Sequence, residues 1–400
     1  MKAPTAILSL LAALAASPVI AQTTVNSDPV GFASLTLAGN SDSYVYLPFK
    51  RTPEFVGSAV SLAANNTYDL GESFTDTNSS GARDAGEPFT DSNNVVNVKG
   101  ANFAANQFAY AQGAQPKFYM FVKTGTRTGV FYTIVSNGTS SVVVDLNGDS
   151  LAGAIDSTTG LQVIPYDTLG TIFPNGQGVN PSSTHSIGNR QTEVLFPDIS
   201  TAGKDLAFPV SYYYFSGTSG AGMGWRKAGA SGVLANDTVL SPEAIFVVRH
   251  NVAVDTTLTF VGTVQMATLT TPLVTLSPGI DQDNSVALPF ATPMTLSQLK
   301  LFESGAFVGS DSHSIGQRKD QLLVWDNSVT GKNKAADVSY YYFTGNTGVG
   351  PGWRKAGASG VLANDDVVVS STKGFVIRKK GTANPVIVNW TVKPHYVPSP

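Results

Sequence analysis

After its first two dozen residues the chain shows almost no helical periodicity. Its apolar residues come in short runs rich in Val, Ile, Tyr, Phe and Thr, at 44–49, 118–123, 130–135, 141–145, 244–249, 257–264, 367–369, 374–378 and 386–392. Asn-Gly, Asn-Asp and Gly-Ser pairs punctuate them, the pattern of strands joined by turns. Between 131 and 148, Asn137-Gly138 sits between two such runs and predicts a tight hairpin, because this pair takes the positive φ of a short turn readily. Only 296–302 suggests a turn or two of helix. The pattern predicts an all-β chain, a multi-sheet β-sandwich or barrel-like body.

One segment occurs twice. SYYYFSGTSGAGMGWRKAGASGVLAND, at 211–237, returns at 339–365 as SYYYFTGNTGVGPGWRKAGASGVLAND, with 22 of 27 positions identical and no gap. His185-Ser186-Ile187-Gly188 and His313-Ser314-Ile315-Gly316 match in the same register, and 245–249 matches 374–378 after one inserted residue. A repeat this long marks a duplicated structural unit. The expected organisation is a signal peptide at 1–21, a β-rich region at 22–163, a first unit at 164–260 and a second unit with a final strand at 261–400. A fainter echo pairs Leu47-Pro48-Phe49 with Leu288-Pro289-Phe290, so the first unit can also be read as starting near residue 47 and carrying a long insertion.

In an extended SYYYF run successive aromatics point to opposite faces, so both faces of that strand should be buried. Trp225 and Trp353 close the glycine-rich loops that follow, and two readings stand for them. As core plugs they cover the sheet, each indole N–H bonded to a loop carbonyl; as a pair of exposed ligand platforms they stack on sugar rings. His185 and His313, one per copy and without a carboxylate at a telling spacing, read as hydrogen-bonded structural residues.

The N-terminus changes the picture of where the chain works. Lys2, an apolar run at 6–16 and Val19-Ile20-Ala21 fit an export signal, and the run is too short to span a bilayer. The expected location is therefore the periplasm, cell surface or extracellular space, with no membrane span. With no cysteine, the body has no disulfides and depends on its core and on any bound metal. A net charge of −3, with Lys and Arg scattered, excludes a basic nucleic-acid surface.

One stretch, 67–94, has residue types and spacing that demand chemistry. From Asp76, oxygen-bearing groups fall at loop positions 1, 3, 5, 7, 9 and 12: Asp76, Asn78, Ser80, the Ala82 carbonyl, Asp84 and Glu87, with Gly81 at position 6. A hard cation with six to eight oxygen ligands needs this order, with Gly at the sharp bend and a distal carboxylate able to bind through both oxygens. The expected cofactor is Ca2+. The motif itself recurs at a short, constant spacing, since Asp69, Gly71, Glu72, Phe74, Thr75, Asp76 and Asn78 return as Asp84, Gly86, Glu87, Phe89, Thr90, Asp91 and Asn93. Calcium loop 69–93 thus holds one complete loop between two half-loops, Asp69 with Glu72 and Asp91 with Asn93. Six carboxylates there face only Arg83, a density that calls for a counter-ion. Asp145-Leu146-Asn147-Gly148-Asp149 has alternate oxygens without the downstream Gly and Glu, and reads as a strand-ending turn.

The loop resembles the calcium-binding repeats of dockerins, thrombospondin type-three repeats and other EF-hand-like loops of exported bacterial proteins. It departs from a true EF-hand, because Pro88 leaves no room for an exiting helix, which points to a structural ion. The runs at 27–49, 102–151 and 164–174 resemble an uncharacterised family of exported proteins found chiefly in the verrucomicrobial lineage. That resemblance implies export, a β-rich body and an unassigned role, with 69–94 as an insertion.

No nucleophile elbow, zinc-binding His-Glu pair, phosphate loop or dinucleotide fingerprint occurs in the sequence. The expected function is a non-enzymatic envelope, surface or matrix protein with a structural calcium site and partners among surface proteins or polysaccharides. A secreted carbohydrate-binding module is the alternative, and a secreted hydrolase with converging carboxylates the third.

Overall fold

The computed structural model describes residues 28–398. The signal segment expected at 1–21 lies outside the described residues. The architecture is all-β. Two strands, Val30–Leu37 (β1) and Asp42–Val45 (β2), precede six that close into a barrel: Phe55–Ala63 (β3), Val95–Val98 (β4), Phe118–Val122 (β5), Phe131–Asn137 (β6), Ser141–Val144 (β7) and Gly160–Pro165 (β8). Seven follow in the first unit: Asp167–Thr168 (β9), Thr192–Phe196 (β10), Val210–Phe215 (β11), Gly224–Lys227 (β12), Val239–Leu240 (β13), Phe246–His250 (β14) and Thr256–Thr263 (β15). The second unit has Leu269–Thr275 (β16), Gln282–Asn284 (β17), Met294–Thr295 (β18), Gln321–Asp326 (β19), Val338–Phe343 (β20), Gly352–Lys355 (β21), Val367–Val369 (β22), Lys373–Lys379 (β23) and Val386–Val392 (β24).

The strand pairings show how the duplication is built. The order β12-β11-β10-β14-β2 in one five-stranded sheet is repeated as β21-β20-β19-β23-β17 in the other, and β1-β15 and β13-β9 are repeated as β16-β24 and β22-β18. Even the paired residues correspond, Tyr214 facing Trp225 and Tyr342 facing Trp353 across their ladders. The first unit therefore begins with β1 and β2, and the six-stranded barrel interrupts it between β2 and β9. This corrects the expected boundary of a separate region at 22–163, which divides the first unit's sheet. The faint Leu47-Pro48-Phe49 echo is the trace of that interruption.

Each body has its own apolar core. Leu37, Phe173, Trp225 and Phe246 anchor the first unit, Leu322, Trp353, Phe375 and Trp390 the second, and Val96, Phe108, Met120 and Ile134 the barrel. The second unit's core continues into the barrel wall through Tyr119, Phe121 and Ile164. Between units, Tyr44 stacks on Trp325 at 4.5 Å, and the Asn327 amide makes two 2.8 Å bonds to the Tyr44 backbone.

Two local expectations shift. Asn137-Gly138 does not form a two-residue turn: Asn137 stays in β6 opposite Val142, and Gly138 N–H donates to the Ser141 carbonyl. The buried Asn137 side chain instead pins the preceding loop, accepting from Phe108 N–H and donating to the Ala104 carbonyl, both at 2.8 Å. The region 296–302 forms turns without a helix, while its counterpart in the first unit makes one short helical turn, Leu169–Ile172, capped by Thr168.

Candidate metal centre

The chain between β3 and β4 leaves the barrel as a small lobe that contains the predicted loop. Two short rungs, from Thr75 N–H to the Pro88 carbonyl and from Thr90 N–H to the Ser73 carbonyl, both 2.9 Å, join its two small copies at Phe74 and Phe89. Tyr68 meets both phenylalanine rings edge-on at 5.9 Å, and the Arg83 guanidinium lies over Tyr68 and Phe89 at 5.0 and 4.8 Å. Arg83 also donates to the Glu87 carbonyl. Three rings and one cation thus pack together in the lobe, and of its six carboxylates only Glu72 and Glu87 are buried.

Residues 76–87 wind tightly around their own side chains. Asp76 accepts from Ser80 N–H at 3.1 Å and Gly81 N–H at 2.9 Å, and Gly81 takes φ +76° at the bend. No neighbour crowds a Cβ built on Gly81, so the backbone conformation is what selects glycine there. Asn78 Nδ2 donates to Asp84 Oδ2 at 2.7 Å, and Ser80 Oγ donates to the Ala82 carbonyl at 2.7 Å. Glu87 is turned back into the loop and buried, one oxygen on Thr77 N–H and Oγ1, the other on Asp84 N–H. Backbone N–H groups hold two carboxylates in the charged form: Gly81 lowers the pKa of Asp76, and Asp84 followed by Thr77 lowers that of Glu87. The side-chain bonds of the six predicted groups all stay within 76–87. Among the described residues, no three His, Cys, Asp or Glu side chains stand together as a finished metal cage, and the amide and hydroxyl donors of the loop occupy its carboxylates instead.

The other sequence candidates have different fates. Asp145–Asp149 is a turn, with Asn147 and Gly148 at positive φ. Asp149 is engaged by Arg127 at 2.7 Å and Tyr132 Oη at 2.8 Å. Trp225 and Trp353 are 0% and 1% exposed, so neither is a platform. Their rings pack on Phe173 and Tyr214 in one unit and on Phe307 and Tyr342 in the other.

The expected bond from each indole N–H is also absent, since both nitrogens are buried without an acceptor. The tryptophans are positioned through the backbone, whose N–H groups donate to Asn236 Oδ1 at 2.9 Å and Asn364 Oδ1 at 3.0 Å. Gly224 and Gly352, at φ +145° and +144°, give the chain room, because a Cβ would lie 2.7 Å from Leu234 or Leu362.

The glycine-rich loops before the tryptophans are tied from within. Arg226 and Arg354 are fully buried, donate to the carbonyls of Gly222 and Gly350, and lie 5.8 and 5.7 Å from the rings of Phe215 and Phe343. This was the feature that sequence reading missed, and the duplicated Trp-Arg-Lys was its signal. His185 and His313 bond Tyr213 and Tyr341 Oη at 2.7 and 2.8 Å and stack on Phe215 and Phe343, the structural role read from the sequence. Between the two five-stranded sheets lies a cleft of about 830 Å³ that includes Tyr44, Phe208, Trp325, Arg249 and Arg378.

Comparison with protein-family models, curated proteins and solved structures finds no match to the chain. Among the described residues no helix is long and apolar enough to cross a membrane.

Proposed function

We propose that this chain is an exported, non-enzymatic structural protein of the cell envelope, surface or matrix, in which a two-unit β body carries a lobe ordered by calcium. The observation that carries the reading is the loop at 76–87. Its glycine bend, its first carboxylate and its distal glutamate stand at the spacing a hard-cation loop uses, in a lobe where six carboxylates face one arginine. Binding exchanges the donor contacts at Asp84 and Glu87 for an ion, with Asn78, Ser80 and the Ala82 carbonyl completing the oxygen set. The duplicated residues that looked most like a ligand site support the scaffold half of the reading, because each Trp, Arg and His is engaged in contacts within its own unit.

Calcium titration of the full chain tests this. The expected result is saturable calcium heat in the roughly 10⁻⁴–10⁻³ M range typical of extracellular modules, little response to magnesium, and loss of the loop's share of that heat in Glu87→Gln. No calcium heat at millimolar concentration overturns it. A second reading, oligosaccharide binding, now rests on the inter-unit cleft and its Tyr44–Trp325 stack flanked by Arg249 and Arg378. Retention of the protein on a polysaccharide column, abolished by Trp325→Ala, favours it.

A further inference from the structure

The half-loops at the ends of the lobe meet in space. Four of the hydrogen bonds that shape 76–87 recur at the equivalent positions of the other copy, but across the break in the chain. Gly81 N–H donates to Asp76 Oδ2 at 2.9 Å, and its counterpart Asn66 N–H donates to Asp91 Oδ2 at 2.8 Å. Ala82 N–H donates to Ser80 Oγ, as Thr67 N–H does to Asn65 Oδ1. Asp84 N–H reaches Glu87 Oε2 at 3.0 Å, and Asp69 N–H reaches Glu72 Oε2 at 2.9 Å. Thr77 N–H reaches Glu87 Oε1 at 2.7 Å, and Ser92 N–H reaches Glu72 Oε1 at 2.7 Å. Gly71 and Gly86 share φ +93°, and Asn66 takes the positive φ of Gly81.

These pairs make the lobe pseudo-twofold, with the axis between Phe74 and Phe89. Positions 1 and 3 of the second loop come from Asp91 and Asn93, after the first loop in sequence. Positions 5 to 12 come from Asn65, Asn66, the Thr67 carbonyl, Asp69 and Glu72, before it.

Loop geometry does not account for two buried oxygens in this second loop. Asn94, 1% exposed, turns its amide toward the Asp69 carboxylate, with Nδ2 3.3 Å from Oδ2, yet its Oδ1 is buried with no donor. Asp91 Oδ1, across the same loop, is likewise buried with no donor. Two buried oxygens without a donor, one of them on a carboxylate, are costly unless something positive meets them. No lysine or arginine lies within 65–94 apart from Arg83, which is committed to Tyr68, Phe89 and the Glu87 carbonyl.

We infer that 91–94 and 65–72 close into a second calcium loop, a chain-permuted copy of 76–87, with Asp91, Asn93, Asn65, the Thr67 carbonyl, Asp69 and Glu72 as its ligands and Asn94 beside it. The inference rests on the reading of 76–87 as a calcium loop and gives the second ion a separate task. Asn94 leads directly into β4, its carbonyl accepting from Val144 N–H at 3.1 Å, and Asn65 follows closely on the end of β3. An ion held between them clips the two ends of the lobe together at the barrel, whereas the first ion lies at the lobe's outer end.

Equilibrium dialysis of the full chain against radioactive calcium counts the ions. Two per chain are expected in the unaltered protein, one in Glu72→Gln, one in Asp91→Asn, and one in Glu87→Gln. Asp91→Asn keeps an acceptor for Asn66 N–H and so guards against collapse of the lobe, while an unchanged melting transition of the body verifies folding. One ion in the unaltered protein that is lost in Glu87→Gln and kept in both other variants overturns the second site and leaves the first standing. No ion in the unaltered protein removes both.

Discussion

The two large copies that make the body and the two small copies that make the lobe differ in what each can bury. Each large unit has nine strands and a complete apolar core, so it satisfies its own ladders and hides its own tryptophan. Each small copy has one phenylalanine, one short rung and three carboxylates, too little apolar surface to fold alone. It completes its loop only by taking residues from its twin. Duplication of a self-sufficient unit yields two neighbours; duplication of an insufficient one yields an interlocked pair whose remaining need is charge compensation. On the proposed reading the body is governed by packing and the lobe by ions, and the two should respond to different perturbations.

The largest effect should follow from removing a body anchor. Trp353→Ala should cost on the order of 3–5 kcal/mol, as large-to-small core changes do, and leave calcium binding intact. Measurement by denaturant melts beside a calcium titration decides this, and a melt unchanged by the substitution breaks the packing account of the body.

Within the body, one equivalent position separates the units. His250 in the first unit bonds Thr192 and Thr256, each at 2.8 Å; Lys379 in the second meets Asp320, which replaces Thr192, and the Ala306 carbonyl. Asp320 also accepts from Val308 and Lys380 N–H. Removing one partner of a buried pair strands the other, so Asp320→Asn should cost about 3–5 kcal/mol, whereas Thr192→Val should cost less. Equal losses erase the contrast.

The same pair gives a pH signature. Burial depresses the His250 pKa from 6.5 to about 4, with Asp255 opposing weakly. The unfolded state therefore binds the proton more readily than the folded one. The stability from a neutral His250 is complete above about pH 6.5 and is lost as pH falls toward 4. His250→Gln should flatten that acid slope in a series of melts taken from neutral pH down through the folded-state value. An unchanged slope places the acid sensitivity elsewhere.

Much of this was legible in the chain. The spacing of Val, Tyr and Thr runs pointed to the all-β class, and 367–369 and 386–392 coincide with β22 and β24. The near-identity around Tyr212 and Tyr340 announced the duplication. What stayed hidden was discontinuous. β1 and β2 join their two sheets across the inserted barrel, and the only local sign was Leu47-Pro48-Phe49. Asn137-Gly138 carries a strong turn signal, but tertiary contacts to Phe108 and Ala104 decide its conformation. The tryptophans were ambiguous because sequence reports an aromatic beside glycines without reporting which side faces solvent; Asn236 and Asn364 settle it by fixing the backbone. In the lobe, the short internal period was visible, but completing the half-loops requires the chain to return on itself, which spacing alone does not encode.

The smallest energetic effect is also the most telling. At a free calcium concentration ten times the dissociation constant, ion binding to one site adds about 1.4 kcal/mol to the state that binds it. That increment falls on the lobe, so amide hydrogen exchange of the full chain, compared in calcium and in chelator, tests the central claim most directly. The account predicts that residues 65–94 become markedly more protected in calcium while β10, β11, β19 and β20 exchange at the same rates in both. Identical exchange of 65–94 in the two conditions would contradict it.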